Sequence, residues 1–266
     1  MNPGDLQVEI RSRTVGQTVA MATRLLQART GRVLFAWALY SVPLLTLTLA
    51  LLLGTSLSPW WIWFLLLLWA PAFSLPVMVT VGHLVFLPTV TSATVLRTSL
   101  KRFFGHLVLI VFFRVATLGA SLAFVVPGFF VWRMGWFLGP VVALEGSDVG
   151  ASMGRSRHFS SGFHGLTTVH MLNGGALLLY WTVAVAALVH FLIHYVIGLN
   201  VAVVGDLLRY EHYRHLLGLS AFCLVVPFIS LYWFFVYLEV RTRKEGWDLE
   251  IAFRARAQQL ERQVHG

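Results

Sequence analysis

Six stretches of this 266-residue chain run on with almost no charge, and about twenty apolar residues is the length an α-helix needs to cross the hydrocarbon core of a bilayer. The spans fall at 33–53, 60–81, 107–126, 129–144, 172–197 and 219–238. The fourth is short and holds Arg133. Only 12% of the residues are charged, against roughly a quarter in soluble domains. Such a surface cannot face water all round, which excludes an ordinary soluble enzyme. Strands are excluded as well, because lipid tolerates no open sheet edge and barrel strands would alternate in polarity. The expected fold is all-α and polytopic: six transmembrane helices arranged as three hairpins.

Lysine and arginine set the orientation. One side carries Arg11, Arg13, Arg24, Arg29 and Arg32, then Arg97, Lys101 and Arg102, then Arg155 and Arg157. It also carries the tail residues Arg241, Arg243, Lys244, Arg254, Arg256 and Arg262. The other side has two short turns and a loop with Arg209 and Arg214. Both termini are therefore expected in the cytoplasm. The expected organisation is a cytoplasmic segment 1–32, a membrane domain 33–240 and a cytoplasmic tail 241–266. No cleaved leader is expected, because the first apolar run follows a long basic stretch. The net charge of +9 reflects this asymmetry, and no nucleic-acid motif accompanies it. Cys223, the single cysteine, reads as a small apolar filler.

Each basic segment ahead of a hairpin carries an apolar stripe: Val15, Val19, Ala22 and Leu26; then Ala93, Leu96, Leu100 and Phe103; then Val149 and Met153. These predict amphipathic helices at the cytoplasmic interface, apolar face in the lipid and cations at anionic headgroups. The tail repeats the pattern with Leu249, Phe253, Ala257 and Leu260, and Trp247 suits the headgroup level. Ala93–Thr98 resembles Ala151–Ser156. That likeness leaves open whether the chain contains a duplication or only recurrent positive-inside segments.

Two stretches resemble a known family. The first block runs from Pro127-Gly128 through Arg133, Gly139-Pro140, Glu145-Gly146 and Ala151 to Ser156; the second runs from Tyr237 to Glu250. They are similar to the membrane domain attached to some bacterial glycerophosphodiester phosphodiesterases and to its free-standing inner-membrane relatives. The resemblance implies a six-helix bacterial inner-membrane protein without the phosphodiesterase, whose barrel domain has no counterpart in this chain. Physically, Pro127-Gly128 predicts the turn between spans three and four, with glycine at positive φ. Arg133 then lies early in the returning helix and snorkels to the outer interface.

The candidate ligand-contacting residues are Arg114, Arg133, Glu145, Arg155 and Glu239. Arg114 stands out, because an unpaired cation inside a span costs a few kcal/mol or more. Either it snorkels inward or pairs with Glu145 or Glu239 near the same interface, or it meets an anion or headgroup in a cavity between helices. His190 and His194, with His212 and His215, have spacings that place two imidazoles on one helical face and form a candidate outer metal site. Ser156, Ser160 and Ser161 beside His158 and His164 lack an acid to complete a catalytic set. Trp60, Trp61, Trp63, Trp132 and Trp136 read as an outer aromatic belt, Gly174-Gly175 as close helix packing, and Pro43, Pro71, Pro76, Pro88 and Pro227 as kinks.

Three functions follow. The favoured one is a non-enzymatic subunit or scaffold that binds membrane lipids, through anionic headgroups, and either a membrane-protein partner or a second copy of itself. The second is a transporter or lipid-handling protein for an anionic substrate. The third is an outer-face metal-dependent enzyme. No cofactor and no nucleic-acid partner are expected.

Overall fold

The computed structural model describes residues 14–86, 91–146, 149–161, 164–197 and 210–246. They form helices α1 (Val15–Ala28), α2 (Thr30–Gly54), α3 (Pro59–Phe73), α4 (Leu75–Phe86) and α5 (Ser92–Ala123). After these come α6 (Val125–Met134), α7 (Leu138–Glu145), α8 (Val149–Ser160), α9 (His164–Phe191, continued by one π turn over Leu192–Val196) and α10 (Tyr210–Glu245). No strand occurs among the described residues. Among the described residues, six segments are long and apolar enough to cross a membrane: Thr30–Gly54, Pro59–Val85, Ser92–Ala123, Val125–Glu145, Gly165–Val196 and Tyr213–Glu245. This is an all-α, multi-pass membrane protein.

α10 is the centre of the bundle. Apolar on every side, it is buried along most of its length and packs against α1, α2, α3, α4 and α9. Pro227 within it has no N–H to give the carbonyl of Cys223, and in lipid that loss must be made good by a neighbour. Ser41 Oγ of α2 donates to that carbonyl at 3.2 Å, and Trp37 Nε1 donates to the adjacent Leu224 carbonyl at 2.9 Å. Cys223 is buried and free, as a filler should be. α9 is the opposite case: it seats chiefly on α10 and leaves its remaining surface outward.

Two spans are broken. The second is divided at Ser74, between Pro71 and Pro76, where Ser74 N–H closes onto the Pro71 carbonyl at 3.1 Å. The fourth is divided over 135–137, between α6 and α7. Broken helices at membrane depth are tolerated where protein or a cavity surrounds them.

The basic segments differ in detail from expectation. α1 is a separate helix started by a capping box, with Thr14 and Gln17 exchanging side-chain bonds at 3.0 and 3.4 Å. It turns Thr18, Ala22 and Leu25 inward, packed on α10, so its apolar face meets protein and not lipid. The second segment is no separate helix, because nothing breaks it from the third span and α5 runs on unbroken. α8 is separate and packs through Ser152, Ser156 and Phe159 onto α6, α7 and α10. Of the tail, the helix continues to Glu245; residues 247–266, and with them the expected amphipathic stripe, lie outside the described residues.

The Pro127-Gly128 turn is corrected. Phe124 alone, in extended conformation, joins α5 to α6, and Pro127 lies inside the first turn of α6, where a missing N–H is harmless. Gly128 does not take positive φ, which only Gly146 and Gly246 do among the described residues. Its role is close approach: a Cβ there would lie 1.9 Å from Ser121 Oγ and 2.8 Å from Ser121 Cα.

Candidate functional site

α3, α5, α6, α7, α9 and α10 surround a cavity of about 300 Å³. Both helix breaks face it, through Ser74 of the second span and through Gly135 and Trp136 of the fourth. Much of the remaining wall is apolar or aromatic. Trp136 lies edge-on to Trp132, with ring centroids 4.6 Å apart, and to Trp233, at 4.2 Å. Sequence reasoning assigned Trp132 and Trp136 to an outer belt. They line the cavity instead, because α6 is short and the break after it sets Trp136 against Trp233 of α10, with Trp132 against Trp136. Trp60 and Trp61 are exposed as a belt requires.

Arg114 is the charged side chain in this wall. At about 1.5 Å per residue it sits about 14 Å along α5 from Ala123 and about 18 Å from Arg102, near the middle of a hydrocarbon core about 30 Å thick. It is partly exposed to the cavity and has no hydrogen bond or ion pair with any described residue. The cavity hydroxyls are already engaged with their own helices. Ser74 Oγ donates to the Pro71 carbonyl at 2.5 Å, Thr117 Oγ1 to Phe113 at 2.7 Å, and Ser230 Oγ to Val226 at 2.9 Å.

α5 and α9 both line the cavity. On α9, Gly174 is buried because Trp233 occupies its side: a Cβ there would lie 2.5 Å from Trp233 Cζ2. Gly175 is exposed, and a Cβ there would meet nothing within 4 Å. The pair read as close packing from the sequence therefore divides, one glycine seating an indole and the other lining the cavity with open space at its Cβ.

The other candidate residues lie elsewhere. Arg133 is 6% exposed, lies over the Phe130 ring at 5.2 Å, and has an Nε without a hydrogen-bond partner among the described residues. It does not snorkel, because α6 begins at Val125 and Arg133 ends up near the break of the span, packed within the bundle. Glu145 and Arg155 form a two-point ion pair at 2.9 and 3.0 Å. Tyr237 Oη donates to Glu145 at 2.9 Å, Arg155 also reaches Glu245 at 2.7 Å, and Arg241 binds Glu245 at 2.8 Å. This network fastens α8 and the end of α7 to α10. It holds the Arg155 guanidinium above its usual pKa, first through the hydrogen bond to Glu145. Glu239 is buried and paired with Arg243. No ion pair joins Arg114 to Glu145 or Glu239, and its side chain lines the cavity.

At the far end of α9 and α10, His190 and His194 stack with centroids 6.0 Å apart, and His190 Nδ1 meets Tyr213 Oη at 3.1 Å. His215 Nδ1 accepts from Trp63 Nε1 at 3.2 Å. The side chain of His212 lies outside the described residues, among which no group of three or more metal-ligating side chains occurs. Ser156 donates to the Met134 carbonyl at 2.6 Å, Ser160 to Arg157 at 3.0 Å and Ser161 to His158 at 2.9 Å, each a backbone contact.

Sequence reasoning missed several residues. His106 is fully buried on α5, about two turns before Arg114. His170 Nδ1 meets Tyr232 Oη at 2.8 Å, and Asn173 Nδ2 donates to the same hydroxyl at 3.1 Å, tying α9 to α10. No family model, curated protein or solved structure matches the chain.

Proposed function

We propose that this protein binds and handles an anionic ligand within the membrane, with Arg114 as its anion contact. The observation that carries this reading is an arginine at mid-membrane depth, without a hydrogen-bond or ion-pair partner among the described residues and facing a cavity of ligand size, for which the usual range is about 300–1,000 Å³. An intramembrane cation is costly unless something neutralises it, and no carboxylate of the described bundle does so. The spread of lysine and arginine supports both termini in the cytoplasm, and the resemblance of its motifs supports a bacterial inner membrane. The scaffold reading keeps its support in the basic surface and the tail; the geometry favours the ligand-handling one.

A ligand that binds the folded state raises its stability by mass action, about 2.7 kcal/mol at a hundredfold excess over Kd. Purified protein is therefore titrated with inorganic phosphate, with simple carboxylates and with anionic amphiphiles while its thermal unfolding midpoint is followed. At least one series is expected to raise the midpoint saturably in the native protein and not in Arg114→Gln. An equal response of the variant, or no response to any anion, would refute the proposal.

A further inference from the structure

Resting on that reading, we infer that the ligand is a single-chain anionic amphiphile, a carboxylate or phosphate monoester on a hydrocarbon chain. It enters sideways between α5 and α9 and places its head at Arg114. The donor inventory argues against a free hydrated anion. A small anion taken out of water needs donors on all its oxygens; here the hydroxyls of Ser74, Thr117 and Ser230 already donate to backbone carbonyls, which leaves Arg114 and the indole N–H groups of Trp132, Trp136 and Trp233. Arg114 offers a planar fork of N–H groups from one side only, which matches a head whose other end is apolar.

The rest of the site matches a chain. The indoles of Trp132, Trp136 and Trp233 supply a broad apolar surface next to the charge. Beside the lining residues Arg114 and Gly175, α5 carries exposed Val115 and Leu118 and α9 carries exposed Leu172 and Leu179, so an entrance between these two helices faces the acyl region and not water. Gly175 leaves that opening unobstructed. A volume of about 300 Å³ is at the small end of ligand sites, enough for a head and the first part of one chain, with the remainder extending into the bilayer. Binding joins two groups that are each costly alone in hydrocarbon, which gives the site its preference for the charged over the neutral form of the same chain.

The test uses the full protein in vesicles of uncharged phosphatidylcholine, with tryptophan fluorescence as readout and 9,10-dibromostearate as probe, since bromine quenches indoles it touches. The acid is expected to add a saturable component to the gradual quenching that bilayer-dissolved probe gives the ten tryptophans; dibromostearyl alcohol should give the gradual part alone. Arg114→Gln should weaken the saturable component by about tenfold or more, the effect of losing a charge-assisted contact. Gly175→Leu, which fills open space at its Cβ and so leaves packing intact, should remove it with Arg114 still present. Equal quenching by acid and alcohol, or a saturable component unchanged in both variants, would overturn the inference. If inorganic phosphate stabilises the protein through Arg114 while the acid shows no saturable component, the anion-handling reading stands and the amphiphile inference fails. If neither binds, both fail.

Discussion

Replacing Gly146 by alanine is expected to act through Arg102 as much as through the turn. Gly146 ends α7 at φ 58° and ψ 22°, a left-handed conformation that costs alanine about 1–2 kcal/mol. A Cβ there would lie 2.5 Å from Arg102 Nη2 and 2.9 Å from its Cζ. The same guanidinium donates from Nη1 to the carbonyls of Val142 and Ala143, at 3.0 and 2.7 Å. These are last-turn carbonyls, which an ending helix leaves without donors. A bond from a charged donor contributes about 1.5–3 kcal/mol, and the two share one nitrogen, so about 2 kcal/mol describes the pair. Gly146→Ala should then destabilise by about 3–4 kcal/mol and Arg102→Gln by about 2. The double variant should cost no more than Gly146→Ala alone, because the clash and the lost bonds are one event. Titrating purified protein in mixed micelles with dodecyl sulfate, followed by far-ultraviolet circular dichroism, measures all four corners of the cycle. Additive costs would show that Arg102 slides aside without losing its carbonyls, and would refute the coupling.

Other predictions bear on the frame of the site. Gly128→Ala should separate α5 from α6, since its Cβ meets backbone at 2.8 Å as well as Ser121 Oγ; a severe loss of folded protein is expected on size exclusion, and a native-like profile would contradict it. Tyr237→Phe removes one bond to Glu145 and one from Arg241 and should destabilise by about 1–2 kcal/mol in the same micelle titration; a neutral result would show that the network holds without it. Gly174→Ala should push Trp233 towards the cavity and shift its emission while the fold persists, and unchanged fluorescence together with unchanged binding would count against the cavity geometry.

The spans were legible because length and charge exclusion are strong signals that no tertiary contact can reverse. The breaks at Ser74 and over 135–137 were legible only as proline and glycine punctuation, since a kink, a bulge and a full break share those residues. Arg114 drew notice because a lone cation in a span is conspicuous. Whether it faced Glu145 or a cavity was fixed by Arg155 and Tyr237, which claim that carboxylate from other helices. Arg133, Trp132 and Trp136 were misplaced for one reason: taking Pro127-Gly128 as the turn moved the start of the fourth span towards them and so drew them to the interface. His106 escaped because it sits where the basic extension of α5 passes into the span, and only the unbroken helix shows it buried about two turns before Arg114.

The most direct test is native mass spectrometry of the protein released from nanodiscs drawn straight from the membrane, comparing the native chain with Arg114→Gln. Retention of an anionic single-chain lipid by the native protein, and its loss from the variant, is the predicted result. An identical set of retained molecules on both proteins would contradict a ligand site at Arg114.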